Sequence, residues 1–163
     1  MTAKYQVNHQ IQVQIEDSVK YAGGDKLKQA ALAVLLNHEL ETACEMIIVV
    51  TDDTALQALN RRFRSLDAPT DVLSFANDNR GPYVGYAADF PRDLGDIVIS
   101  LDRARAQAEQ AGAALDDEMQ LLVVHGTLHL LGYDHETSQD KATMWAAQEQ
   151  ILHLLGIHIP LPE

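Results

Sequence analysis

The sequence predicts an α+β domain, a small sheet with helices packed on it. Two observations carry this. Strand-like segments cluster in the first two-thirds of the chain, and helical periodicity runs from just beyond Ser100 almost to the end. The chain has 163 residues, the length of one ordinary domain spanning 1–163.

Taken in order, Gln10 to Ile15 alternates strictly, with Ile11, Val13 and Ile15 on one side and glutamines on the other, which predicts a half-buried strand. Gly23-Gly24 breaks the chain, and Leu27, Ala30, Ala31, Val34 and Leu35 then recur at helical spacing. Met46 to Val50 is short, apolar and rich in β-branched residues, so a buried strand is expected. Thr51-Asp52-Asp53 offers side-chain oxygens to the free amides of a helix start. The helix that follows should carry Leu56, Leu59 and Phe63 inward, with Asn60 and Arg64 on another stripe.

Asp71 to Phe75 and Asp96 to Leu101 are two further strand candidates, and Ala76 to Asp93 between them reads as a long surface loop. Three helical segments follow: Arg103 to Gly112, Asp116 to Leu131 and Asp140 to Leu155. Gly112, Gly132 and Gly156 stand where C-terminal caps belong, and Thr137-x-x-Asp140 resembles a capping box.

Composition excludes several classes of function. Hydrophobic residues are 47% and charged ones 22%, an average globular balance that rules out disorder and collagen-like repeats. Twenty-four acidic against twelve basic residues give a net charge of -12, so the chain is no general polyanion binder and any nucleic-acid contact needs a local cluster. Cys44 is the one cysteine, which excludes an intrachain disulfide and a cysteine-rich zinc site. The first twenty residues hold no signal-peptide core, and the longest apolar run, Ala30 to Leu36, is far short of a membrane span. A soluble, cytoplasmic protein is expected.

The chemistry lies in His125-Gly-Thr-Leu-His129-Leu-Leu-Gly132-Tyr-Asp-His135. His125 and His129, four apart on an apolar helix, project from one face one turn apart. Gly132 can take the left-handed conformation that stops the helix, and His135 then returns toward the same point. Three imidazoles with an open fourth position suit a catalytic zinc, although nickel would also accept them. The spacing matches the metzincin protease pattern. Gly126, however, stands where a zincin carries its general-base glutamate, which counts against peptide hydrolysis.

Leu59-Asn60-Arg61-Arg62-Phe63-Arg64 is a second feature: three arginines in four residues, offering planar forks of donors suited to phosphate. A basic helix end that merely complements the helix dipole is the plainer reading of the same residues.

HGTLHLLGYDH resembles, without a gap, the signature of the YbeY endoribonuclease family, and further motifs agree in order: Thr51-Asp52-Asp53, Leu59-Asn60 with Arg64, Thr70-Asp71-Val72-Leu73-Ser74-Phe75, and Leu94-Gly95-Asp96-Ile97 leading to Ser100. Ala76 departs from the proline usual after the Ser-Phe pair. The resemblance implies a mixed sheet of about four strands, about five helices, and a metal site on helix 116–131 and the turn after it. It also implies a zinc-dependent, single-strand-specific endoribonuclease acting in 16S rRNA 3′-end maturation and ribosome quality control, with one zinc per chain. By position, His125, His129 and His135 become the metal ligands and Arg64 the catalytic arginine; read from the residues themselves, Arg61 and Arg62 are candidate substrate contacts, and Ser74 is either another or simply a structural serine in a short strand. The partners implied are single-stranded rRNA and the small ribosomal subunit or an assembly factor, with no DNA and no membrane. Whether water or the ribose 2′-hydroxyl attacks stays open. A non-catalytic, zinc-containing assembly factor is the alternative reading.

Other residues carry weaker signals. Asp71 and Asp96 suit turn hydrogen bonds or a place in the cleft, and Asp134 suits either a second-sphere acceptor or a solvated turn. His9, His38, His153 and His158 lack ligand spacing, Cys44 reads as a small buried hydrophobe, and Trp145 reads as core beside Met144 and Ile151.

Overall fold

The computed structural model describes residues 7–77 and 91–159. Its elements are β1 (Gln10–Ile15), α1 (Gly24–Asn37), β2 (Cys44–Thr51), α2 (Asp53–Arg64), β3 (Val72–Ala76), β4 (Arg92–Ser100), α3 (Leu101–Ala111), α4 (Leu115–Leu130) and α5 (Ser138–Leu154). The sheet order is β1-β2-β4-β3. The first three strands in that order run parallel, and β3 closes one edge antiparallel to β4. The mixed sheet and five helices agree with the expectation.

Local chemistry explains the elements. β2 is flanked by parallel strands on both sides, which is why it reads as a continuous apolar run, whereas edge strand β1 alternates. The Asp52 carboxylate accepts from the Ala55 amide to start α2, the Ser100 hydroxyl does the same for Arg103 in α3, and Thr137 does so for Asp140 in α5. On one face of the sheet a large cluster joins Leu27 and Val34 of α1, Ile48, Ile97 and Ile99 of the sheet, Leu128 of α4 and Ile151 of α5. On the other face α2 lays Leu56 against Leu73 and Val98. Helix α4 contacts α1, α3, α5 and two strands, so it is buried around most of its circumference.

Three expectations are corrected. Phe63 does not face inward: it is 56% exposed and lies at the rim of the small cluster of Leu56, Leu73 and Val98, outside the partly buried Val49, Leu59 and Phe75. Its ring packs edge-on against Phe75, with centroids 5.2 Å apart. The 76–93 loop is shorter than expected, since Ala76 pairs with Gly95 while Arg92 and Asp93 pair with Cys44 and Glu45. The rest of that stretch, 78–90, lies outside the described residues. Leu101 begins α3 instead of ending β4, because Ser100 caps the helix. No helix among the described residues is long and apolar enough to cross a membrane.

Candidate metal centre

The site is built on the last two turns of α4. Gly126 lets that helix lie close against the sheet: a Cβ there would stand 3.0 Å from two carbons of the Ile97 side chain. The position that bears glutamate in zincin proteases is thus occupied sterically by β4. Edge strand β3 is tied to the same residue, the Ser74 hydroxyl donating to the Gly126 carbonyl at 3.1 Å. After Leu130 the chain turns at Gly132, φ +103°, with the Tyr133 amide donating back to Leu128. The Tyr133 hydroxyl meets His38 Nε2 at 2.9 Å and anchors the turn to the end of α1. Asp134 accepts from the Glu136 amide, a turn bond that bends the chain and brings His135 over the helix.

The three histidines therefore converge, each offering a ligand nitrogen within 4.8 Å of the others. Nδ1 of His125 faces the Gln148 amide oxygen at 2.9 Å, and Nδ1 of His129 faces the Tyr133 carbonyl at 2.9 Å. Both acceptors require a proton on Nδ1, so in both neutral rings Nε2 carries a lone pair. Those two Nε2 atoms stand 3.1 Å apart. Two lone pairs at that distance repel, and a cation between them removes the repulsion. A tetrahedral ion with nitrogens at about 2.0–2.1 Å would hold them roughly 3.3 Å apart, so the pair fits one. His135 is the exposed member and leaves the group open to solvent.

Burial, first, and then the neighbouring His125 lower the pKa of His129 to about 4, with a smaller push from the Arg64 charge. Burial likewise lowers that of His125, against the opposing effect of the Gln148 bond. Both rings are held in the neutral form a metal requires. Arg64, the last residue of α2, is exposed, and its charge is felt at His129. Arg61 and Arg62 are exposed on the same turn, with the Arg62 guanidinium 5.1 Å from the Phe63 ring centre.

Two residues, Gln148 and Glu118, escaped the sequence reading, and Trp145 does more than was read from it. Gln148 of α5, 1% exposed, fixes the His125 tautomer. Trp145, half-buried, packs against the core as expected and also meets the His125 and His135 rings nearly perpendicular, with centroids 5.8 and 5.6 Å away. Glu118, two turns before His125, is buried at 5% exposure. A polar residue on the buried stripe of α5 with Met144, Ile151 and Leu152 was the available signal for Gln148. Asp71 makes the expected turn bond to the Val72 amide and also accepts from Gln107, while Asp96 is exposed.

A family model described as Endoribonuclease YbeY matches residues 8–156. The chain belongs to this family. A YbeY endoribonuclease of Chloroflexus aurantiacus is 45% identical over 148 residues, 90% of this chain and 96% of the relative. One from Chloroflexus aggregans is 47% identical over 80% of this chain and 86% of its own length, and one from Bacillus cereus is 42% identical over 73% and 78%. The YbeY fold is shared with the solution structure of Thermotoga maritima TM1509, at a TM-score of 0.52 and 22% identity, covering 88% of this chain and 91% of that one.

Proposed function

We propose that this YbeY-family chain, acting as a single domain over 1–163, is a zinc-dependent endoribonuclease that cuts single-stranded rRNA in 16S 3′-end maturation and ribosome quality control. The observation that supports it best is the opposed pair of imidazole lone pairs, in a chain whose relatives are endoribonucleases. His125, His129 and His135 hold the metal. A metal bound there supplies Lewis acidity, polarising a phosphoryl oxygen and acidifying water.

The remaining work falls to the protein. Gln148 and the Tyr133 carbonyl keep both imidazoles in the tautomer that presents Nε2. The Arg64 guanidinium counters the negative charge that gathers on the phosphoryl oxygens as the phosphodiester breaks. Arg61 and Arg62 extend that basic rim along α2, and Ser74, while donating to Gly126, keeps its acceptor lone pairs for a ribose hydroxyl. The Trp145 ring edge walls the site on the α5 side.

A charge of -12 opposes a long polyanion, so affinity for bare RNA is weak and salt-dependent, and a ribosomal or assembly-factor partner in the cytoplasm supplies targeting. The test is cleavage of a fluorescent single-stranded RNA by wild type, His129→Ala and Arg64→Ala purified in parallel, with and without small ribosomal subunits. Cutting by wild type alone is expected. Equal cutting by all three, or none even with subunits, would overturn the enzymatic reading and leave a non-catalytic assembly factor.

A further inference from the structure

His125 belongs to two sites at once. It is one of the converging imidazoles, and it also forms part of the wall of a cavity of about 360 Å³ lined by residues of α3, α4 and α5 together with Asp71 and Ile159. Glu118 lies in that wall, seven residues before His125 and therefore on the same face of α4. It is 5% exposed, and it contributes to the lining of the cavity. The nearby Asp71 is committed: one carboxylate oxygen accepts from the Val72 amide and the other from Gln107.

A carboxyl at the wall of such a cavity takes its donors from whatever fills the cavity. Burial and the Asp71 charge raise its pKa to about 7. A second metal ion is disfavoured, because among the described residues only the three histidines gather three ligating groups. The remaining walls decide the class of ligand. Leu121, Leu122 and Ile159 are apolar, while Gln107 and Gln110 present amides. Apolar surfaces with a few convergent polar groups suit a flat heterocycle with a polar edge.

We infer that this cavity is a nucleobase subsite beside the metal centre, in which Glu118 accepts N–H groups from the Watson–Crick edge of guanine. Guanine is the one RNA base with two adjacent N–H donors on that edge, which one carboxylate accepts together. Adenine and cytosine offer one amine beside an acceptor, and uracil one N–H between two carbonyls. The inference deepens the endoribonuclease reading by assigning it a base preference, and it rests on that reading only for the RNA strand at the histidines.

The test is calorimetric binding of GMP, AMP, CMP and UMP to the zinc-loaded chain; the shared phosphate cancels in the comparison. GMP should bind about tenfold more tightly than UMP, and Glu118→Gln, which keeps the shape, should remove most of that difference. Glu118→Asp, with the carboxylate withdrawn, is the second variant should the first not fold, and it too should flatten the preference. Equal affinity for all four, or a guanine preference intact in the folded variant, overturns the subsite. Cleavage of a uracil strand bearing a single guanine separates the two readings. Cutting without guanine preference sinks the subsite and leaves the nuclease, whereas selective GMP binding with no strand cut sinks the nuclease and leaves the subsite.

Discussion

Nε2 of His125 and Nε2 of His129 stand 3.1 Å apart with a lone pair on each, because both rings spend their Nδ1 proton on a carbonyl oxygen. The protein therefore holds two acceptors against each other, an arrangement that favours a bound cation. Removing one acceptor relieves the repulsion and abolishes the site. His129→Ala should fall from one bound zinc to almost none by atomic emission, and cleavage should drop by about 10³-fold or more.

Gln148 acts on the metal only through His125. Gln148→Leu removes the acceptor that fixes the tautomer and should weaken zinc binding by roughly 10–100-fold in competition with a chelator. Gln148→Glu keeps an acceptor and should restore most of the affinity. Equal loss in both variants would show that packing, not tautomer control, is what α5 contributes.

Arg64 predicts a different signature. Its side chain is exposed at the end of α2, so Arg64→Ala should fold and bind zinc as wild type does while kcat falls by about 10²-fold. Arg64→Lys, a point charge without the planar fork, should recover only part of it. Loss of zinc together with activity would contradict the role assigned.

Gly126 is held by sterics. Gly126→Glu restores the zincin glutamate in sequence but drives a side chain into Ile97, which should cost about 1–3 kcal/mol in denaturant unfolding and yield no peptidase. Adding Ile97→Val to that variant should recover part of the loss.

Glu118 sets a pH dependence whose sign is definite. Its pKa rises from 4.5 in the unfolded chain to about 7 in the folded one, so between those values the native state binds the extra proton. Its stabilising contribution is complete below about pH 4.5 and is lost as pH rises through 7. The wild type should therefore lose up to about 3 kcal/mol relative to Glu118→Gln between pH 5 and pH 8, read by urea unfolding of both at each pH. A difference independent of pH would contradict the burial of this acid.

The sequence by itself determined the ligand set and most of the scaffold. His125 and His129 share a face because they are one turn apart, and Gly132 can only end the helix and turn the chain toward a third ligand. The alternation of β1, the apolar run of β2 and the capping side chains of α2 and α5 are likewise local facts, written in neighbouring residues. Tertiary structure alone decided what surrounds those ligands. Gln148 and Trp145 reach His125 from another helix, and Ile97 fills the space over Gly126 from the sheet. Phe63 stays 56% exposed at the rim of the cluster beneath α2, although its spacing matched an inward stripe. Periodicity reports which residues share a face of one element. It carries nothing about which side chains two elements bring together, since that is fixed by the packing of α3, α4, α5 and the sheet around a common core.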